Sequence, residues 1–451
     1  MKDNIRHTLY ESVHLYNILP LTSACNVSCM FCSHGQNPAG IEVFAIPPLS
    51  LEQAEELMIF LSPKRKIIIG ESATRIIEGE PFCHPDCMEI LKMLRDKFPS
   101  TPLQVTTNGT FLTYGVIEKL KKLQPLEINL SLNSSNIEMR RMLMRDSLAQ
   151  QAVESVKHLS RSGIGFHGSI VPLPWVTGWH DIDETISFLE QNGAATVRVF
   201  QPGFTHYREK ALQPPTGWEE ELLSYLKDCR NGREIAITVE PPGLQDLYPL
   251  ISGVVRGSTA DQAGLEADQV ILEINGHPPF SRVDAFYRLS KPGTYDILVR
   301  ERNGREKKLN LKLGEKERSG LVMDYDLSPK TVWEVEKVIR KSKAKQVVIL
   351  ASEGGAALLA AGLKRSRGLG TKRIDPEVIA VPNRTFGGTI RSAGLLLVDD
   401  LRAALRERMR AKKGCDLAVL PAIAFDRRGR DLMGNSYLSL RDEFDLRLET
   451  V

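Results

Sequence analysis

The chain has 451 residues, with 59 Lys and Arg against 56 Asp and Glu, 42 % hydrophobic and 25 % charged residues, and a formal net charge of +3. That length exceeds what one hydrophobic core supports, so two or three domains are expected, and the composition excludes a chain disordered throughout. No stretch approaches the roughly 18 consecutive apolar residues of a membrane-crossing helix, and Met1-Lys2-Asp3-Asn4 opens no apolar secretory core, so a cytoplasmic protein with no membrane partner is expected.

The near balance of charge gives no reason to expect a nucleic-acid partner. The basic runs at 64–66, 402–413 and 427–430 read as solvated faces. In a reducing cytoplasm, clustered cysteines hold metal or do chemistry more often than they form disulfides. Five of the seven cysteines lie in two short groups: Cys25, Cys29 and Cys32, then Cys83 and Cys87.

Residues 15–21, 66–69, 103–107, 126–132, 166–171 and 196–200 are apolar or β-branched runs of strand length. Helical patterns lie between them at 51–61, 88–98, 116–123, 148–160 and 182–191, the first behind a capping-box pair, Ser50 and Gln53. Six strand–helix units imply a parallel sheet wound with helices. A partial barrel and an open doubly wound sheet both satisfy the pattern.

The stretch Leu21-Thr22-Ser23-Ala24-Cys25-Asn26-Val27-Ser28-Cys29-Met30-Phe31-Cys32 sets three thiols at C-x3-C-x2-C after the first expected strand. A loop of this kind can wrap three thiolates around one [4Fe–4S] cube, and a cube fully held by protein wants four, so one iron is left open for a small chelating ligand. The amino and carboxylate groups of S-adenosylmethionine (SAM) suit that position. One electron delivered to its sulfonium cleaves a C–S bond and gives a 5′-deoxyadenosyl radical. The competing reading is a zinc site, with His34 as a fourth ligand.

This C-x3-C-x-aromatic-C spacing resembles the signature of the radical SAM superfamily, and the resemblance extends through roughly the first 205 residues. It implies a cluster on Cys25, Cys29 and Cys32, with Phe31 over the adenine. Glu78-Gly79-Glu80-Pro81 is similar to the family's Gly-Gly-Glu-Pro motif, with Glu78 in place of the first glycine; by resemblance Gly79 and Glu80 meet the SAM amino group. Thr106-Thr107-Asn108-Gly109 looks like the family's Thr-Asn-Gly turn. Ser131 and Asn133 resemble the polar pair near the SAM carboxylate and ribose. The Thr-Asn-Gly turn and the Ser131 and Asn133 pair lie at strand C-terminal ends, where ligand sites collect in parallel α/β folds. The glycines at 163, 165 and 168 are assigned no role.

Cys83 and Cys87, four residues apart, would share one helical face if a helix began early enough. Three readings stay open: inert buried thiols, partial ligands of an auxiliary cluster completed by Cys229 or Cys415, and a reactive pair facing substrate.

At Pro241-Pro242-Gly243 the texture changes to short strands at 254–255, 270–274, 295–300 and 307–313, with Asn275-Gly276 and Asn303-Gly304 as turns. The stretches 250–255, 257–265 and 268–276 resemble a bacterial PDZ domain, which implies a peptide ligand capped at its carboxylate by backbone N–H groups of a loop, here 251–253. From about 324 helix and strand alternate again, with helices at 330–341, 356–363 and 401–411 and strands at 346–351, 378–381 and 417–420; the run 393–398 completes the alternation. Residues 383–390, 393–396 and 417–421, together with 200–208, are similar to a domain of unknown function in bacterial proteins that also carry PDZ and radical SAM regions. A two-glycine turn at Gly354-Gly355 is a weak signal for anion binding.

The expected fold is therefore α/β: a partial (β/α)6 TIM-type barrel over 1–240, a small mostly-β PDZ-like domain over 241–316, and a C-terminal α/β domain over 317–451. The expected function is reductive SAM cleavage that starts radical chemistry on an unidentified substrate, small molecule or peptide, fed by an electron donor such as flavodoxin or ferredoxin. Two alternatives remain: a peptide- or protein-modifying maturase whose PDZ-like domain captures the target, and a non-catalytic iron–sulfur redox or scaffold protein. No residue is assigned to catalysis beyond SAM cleavage.

Overall fold

A computed structural model describes residues 3–315, 317–368, 375–411 and 414–451. Met1 and Lys316, where expected domain ranges begin or end, and Lys412 and Lys413, the end of one basic run, lie outside the described residues. The chain divides into two compact units. The first is Met1–Gly35, Glu42–Pro202 and Pro214–Ile237; the second is Gln36–Ile41, Gly203–Gln213 and Thr238–Val451.

Up to residue 240 the chain opens with helix α1 (Asp3–Glu11), then alternates α2 (Leu51–Met58), β1 (Ile67–Ile69), α3 (Cys87–Lys97), β2 (Leu103–Thr107), α4 (Tyr114–Lys121), β3 (Leu126–Ser131), α5 (Ile137–Met144), α6 (Ala149–Ser162), β4 (Gly165–Ile170), α7 (Pro174–Gln191), β5 (Thr196–Phe200), α8 (Trp218–Arg230) and β6 (Ala236–Glu240). The strands form one six-stranded sheet in sequential order, parallel through β1 to β5, the arrangement of a partial barrel. The Ser50 and Gln53 capping box closes the start of α2 as the sequence implies.

The expected first strand, 15–21, is not one. A π turn occupies Ser12–Tyr16, and Asn17 sits at φ 59°, its side chain bonded to the backbone of Ser62, Arg65 and Lys66. A left-handed residue breaks a strand, so only a bridge at Ile18 to Ile68 survives. The sixth strand is instead β6, which the sequence reading missed.

Parallel strands covered on both faces read as continuous apolar runs, but these alternate. Leu103, Val105, Ile128, Leu130, Phe166, Ile170, Val197 and Val199 are buried on one face. That face packs on helices: a Cβ at Gly168 would meet Leu189 of α7 at 2.4 Å. The other face carries Gln104, Thr106, Glu127, Asn129, Ser131, His167, Ser169 and Arg198, which the strand register sets side by side. A polar inner face is what a ligand chamber needs.

In the second unit, β7 (Gly253–Val254), α9 (Thr259–Gln262), β8 (Val270–Ile274), α10 (Arg282–Arg288), β9 (Gly293–Arg300), β10 (Glu306–Leu313) and β11 (Leu321–Val322) form a three-stranded β10-β9-β8 sheet and a β11-β7 pair. They share a core of Ile251, Ala260, Ile271, Ile297, Val299 and Leu311. Then follow α11 (Pro329–Ser342), β12 (Val347–Ser352), α12 (Glu353–Gly368), β13 (Glu377–Val381), α13 (Val398–Ala411), β14 (Leu417–Leu420), α14 (Ser439–Phe444) and β15 (Arg447–Thr450). Their sheet is parallel, in the order β13-β12-β14-β15. Every residue of β12 is buried, as expected of a strand covered on both faces. The run 393–398 holds only a 3-10 turn, Ala393–Leu395, before α13 begins.

Candidate cluster and SAM site

The cysteine loop is held by a helix end. The last carbonyls of a helix have no partner within it; those of Leu143 and Met144 in α5 accept from the N–H groups of Met30 (2.8 Å) and Ser28 (2.9 Å). A tight turn, Cys32 N–H to the Cys29 carbonyl at 3.0 Å, folds the chain between these two cysteines back on itself.

Helix α5 is itself fixed by Arg140, fully buried and paired with Asp146 at 2.8 Å. The same guanidinium donates to the carbonyls of Leu132 (2.5 Å), Asn108 (2.6 Å) and Ser131 (3.3 Å), so one side chain ties α5 to the ends of β2 and β3. Thr110 Oγ1 and the Leu148 N–H complete the satisfaction of Asp146. The sequence reading missed both Arg140 and α5. An available signal was that Arg140, Leu143 and Met144 share the i, i+3, i+4 spacing of a buried stripe.

On the other side, the Gly79 and Glu80 N–H groups donate to the Thr22 and Ala24 carbonyls, at 2.8 and 2.9 Å. A Cβ at Gly79 would lie 2.1 Å from the Ala24 carbonyl oxygen. Glycine is needed there because the cysteine loop's backbone occupies the space. The Glu80 carboxylate is 3 % exposed and accepts from Thr107 Oγ1 and the Asn108 N–H, both at 2.7 Å, and from the Phe82 N–H at 3.3 Å. Burial pushes its pKa up against those donors. Asn108 donates to Asn26 Oδ1 (2.9 Å), which also faces Cys83 Sγ (3.7 Å). Thus Glu80 and Asn108 meet beside the cysteine loop.

The remaining candidates are engaged differently. Ser131 Oγ faces Ser169 Oγ at 3.3 Å on the polar face. Asn133, at φ 62°, spends its side chain on the Val171 N–H, the Ser131 carbonyl and Met144 Sδ, so it braces the ends of β3 and β4. Phe31 is half-buried within the loop. Glu78 puts Oε1 3.5 Å from the Leu21 N–H and leaves Oε2 buried with no hydrogen-bond partner; burial raises its pKa well above the carboxylate range.

The thiols sense one another. Cys29 is pushed up to about 12, by burial first and then by Cys32 and Cys25, with Arg140 opposing; Cys25 is raised by burial first, then by Glu80 and Cys32. Among the described residues no group of three or more His, Cys, Asp or Glu side chains is close enough to hold a single metal ion. A cube holds its thiolates farther apart than one ion does, so three mutually interacting thiols on one loop suit the larger group.

Cys83 ends a 3-10 turn and Cys87 opens α3, so the two do not share a helical face. Cys87 is buried; Cys83 is half-buried, raised to about 11 by burial, Glu80 and Cys25 in that order. Cys229 lies against Arg233 Nε at 3.1 Å, and Cys415 donates to the Leu417 carbonyl in the second unit.

On the polar face, Glu71 Oε1 accepts from Thr106 Oγ1 (2.7 Å), Gln104 Nε2 (2.9 Å) and Asn129 Nδ2 (3.2 Å), with Arg198 Nη1 at 3.9 Å. Lys66 pairs with Glu127 at 2.5 Å, and His167 with Thr196 at 2.8 Å. Charges of both signs are thus fixed in place.

In the second unit, the loop expected to cap a peptide carboxylate is already engaged. The Ile251 N–H donates to the Gln269 carbonyl, the Ser252 N–H to the Val322 carbonyl, and Ser252 Oγ to Asp324. A separate groove of about 230 Å³ lies between α10 and the chain after β11, lined by Val283, Phe286, Tyr287, Met323 and Tyr325. Among the described residues no helix is long and apolar enough to cross a membrane.

Residues 19–189 match the family model of the radical SAM superfamily, and residues 250–293 that of the PDZ domain. Among curated proteins, the chain is 25 % identical over 213 residues to GTP 3′,8-cyclase of Sulfurovum sp. (strain NBC37-1), covering 47 % of this chain and 62 % of that one. It is 27 % identical over 203 residues to the FeMo cofactor biosynthesis protein NifB of Chlorobaculum tepidum, covering 40 % of this chain and 45 % of the relative. The chain thus spans about half the length of these relatives. Among solved structures, Streptococcus suis SuiB bound to S-adenosylmethionine aligns with a TM-score of 0.38 at 17 % identity, over 52 % of this chain and 54 % of that one. The cofactors of the superfamily are a [4Fe–4S] cluster and SAM. Residues 19–189 are thus similar to the radical SAM superfamily and residues 250–293 to the PDZ domain.

Proposed function

We propose that the chain is a radical SAM enzyme that holds a [4Fe–4S] cluster on Cys25, Cys29 and Cys32 and reductively cleaves SAM to start radical chemistry on a separate substrate. The observation that carries this reading is the C-x3-C-x2-C loop, held by the last carbonyls of α5 on one side and packed against Gly79 and Glu80 on the other. When bound, the cluster and SAM supply one-electron cleavage of a C–S bond. The chain's own part is to orient and shield. Carbonyls of α5 hold the loop, Gly79 lets it lie against the segment that carries Glu80, and the Glu80 carboxylate is fixed beside the loop for a charge-assisted bond to the SAM ammonium. Asn108, Ser131 and Phe31 are the further SAM contacts in this reading; Asn133 supports them by bracing β3 and β4.

The fixed charges and amides of the polar face, Glu71, Gln104, Asn129 and Arg198, support a polar substrate. An electron donor such as flavodoxin or ferredoxin would feed the cluster. Anaerobically reconstituted protein given SAM and dithionite is expected to release 5′-deoxyadenosine. Retention of a reducible cluster with no SAM cleavage product would favour the redox or scaffold alternative.

One observation favours a second reading, a peptide- or protein-modifying enzyme: the apolar groove beside α10, with Tyr287 and Tyr325 exposed along it. A peptide laid there would add alongside β11.

A further inference from the structure

Between the end of β1 and the Gly79–Glu80 pair the chain carries a carboxylate that is not among the SAM contacts named above. Ile69 closes β1, and Gly70 follows at φ 81°. A Cβ on Gly70 would lie 2.1 Å from the Thr106 carbonyl oxygen and 2.7 Å from Pro81 Cγ, so glycine is what lets the chain turn this close to β2. The turn delivers Glu71 over the polar face of β2 and β3.

Glu71 is held by one oxygen only. Oε1 takes all three neutral donors, Thr106 Oγ1 (2.7 Å), Gln104 Nε2 (2.9 Å) and Asn129 Nδ2 (3.2 Å). The Gln104 amide is itself oriented from behind, because Lys66 Nζ donates to Gln104 Oε1 as well as to Glu127. Oε2 accepts no hydrogen bond from the described residues, yet it is not among the buried polar atoms left without a partner. This oxygen therefore opens on the chamber, in a direction that the three donors on its twin keep fixed.

The opposite charge stands beside it. Arg198 Nη1 lies 3.9 Å from Glu71 Oε1, with both side chains 30 % exposed, and the guanidinium packs 4.8 Å from the centroid of the Phe200 ring. That separation is longer than a hydrogen bond, so the two charges are neighbours without closing on each other. In the strand register Arg198 is beside Ser169, whose Oγ faces Ser131 Oγ at 3.3 Å. Asn129, which braces Glu71, precedes Ser131 on β3 by two residues, about 7 Å along a strand. The carboxylate and guanidinium thus border the layer of Ser131.

A ligand with one charge matches this pair poorly. A cation on Glu71 Oε2 would sit near the Arg198 guanidinium, and an anion on Arg198 would sit near the Glu71 carboxylate; in either case like charges repel. A ligand that carries both signs on neighbouring groups satisfies both side chains at once. The ammonium and carboxylate of an α-amino acid, joined through one carbon, are such a pair.

We propose that Glu71 and Arg198 form the subsite for an amino-acid head group, with the ammonium on Glu71 Oε2 and the carboxylate on Arg198. The substrate is then an α-amino acid whose side chain reaches the layer of Ser131. The assignment rests on the reading that SAM is bound and cleaved at that layer.

The test uses the standard L-amino acids as probes, screened by saturation-transfer NMR against the full-length protein, both cluster-free and anaerobically reconstituted with SAM. Calorimetry then compares each binder with its N-acetyl and primary-amide forms, on wild type, Glu71→Gln and Arg198→Met. At least one amino acid is expected to bind the wild type, and N-acetylation and amidation are each expected to weaken it by about tenfold or more. Glu71→Gln should lose the discrimination against the N-acetyl form and keep that against the amide; Arg198→Met should do the reverse. General loss of structure would not produce that crossover, and if one variant fails to fold the other still decides. The subsite is overturned if no amino acid binds the wild type, if blocked forms bind as well as free ones, or if the variants discriminate as the wild type does. Protein that takes up no iron or cleaves no SAM would sink the radical reading instead, and binding to the cluster-free chain would still judge the subsite.

Discussion

Arg140 and Asp146 form an ion pair closed to solvent, 2.8 Å apart, and the helix between them supplies the carbonyls that hold the cysteine loop. The chain therefore keeps its thiols in place through a salt bridge and a helix end that are not themselves ligands.

Removing one member of such a pair leaves a buried charge, at a cost of about 3–5 kcal/mol. Arg140→Met should lower unfolding free energy by that amount in urea titrations of the cluster-free protein. Arg140→Met combined with Asp146→Leu should recover part of the loss. A single variant costing less than about 1 kcal/mol would show that the pair is not what fixes α5.

Gly79→Ala puts a methyl group where the Ala24 carbonyl lies. The cysteine loop must then shift, and overpacking of this kind costs on the order of 1–3 kcal/mol. Iron after reconstitution should fall well below the about four atoms per chain of one cube. Undiminished iron would mean that the close approach at Gly79 is not needed to shape the loop.

Glu78 is raised by burial above its unfolded value, so its contribution to stability is full below the ordinary carboxyl range and is lost as pH rises through its folded pKa. Glu78→Gln lacks that loss. The variant should gain on the wild type as pH rises from about 4.5, at about 1.4 kcal/mol for each unit by which the folded pKa is raised. Parallel stability–pH curves for the two proteins would contradict the buried, unpartnered carboxylate.

The Cys83→Ala/Cys87→Ala double variant should keep about four iron atoms per chain. Cys87 is core-facing and Cys83 shares Asn26 with Asn108, so neither is expected to carry a second cluster. A fall to half the wild-type iron would restore the auxiliary-cluster reading.

The sequence exposes what is local. The cysteine triplet stands in one stretch, and the capping box at Ser50 and Gln53 reads directly as a helix start. What depends on distant partners stays hidden. The run 15–21 has the apolar content of a strand, but Asn17 turns left-handed because its side chain finds three carbonyls some 45 residues or more away. β6 is as long as β2 and carries the β-branched Ile237, Thr238 and Val239, so its signal stands in the sequence, whereas Arg140 looks like one more surface arginine beside Arg141 until Asp146, Asn108 and Leu132 are brought around it. Gly79 reads as room for a ligand, whereas the space beside it is filled by the Ala24 carbonyl.

The most direct measurement is the electron paramagnetic resonance spectrum of the dithionite-reduced, reconstituted protein with and without SAM. Three thiolates with one open iron predict a [4Fe–4S]+ signal whose g values move when SAM is added, and which is lost in the Cys25→Ala/Cys29→Ala/Cys32→Ala variant. A signal indifferent to SAM, or one that survives in that variant, would contradict the account.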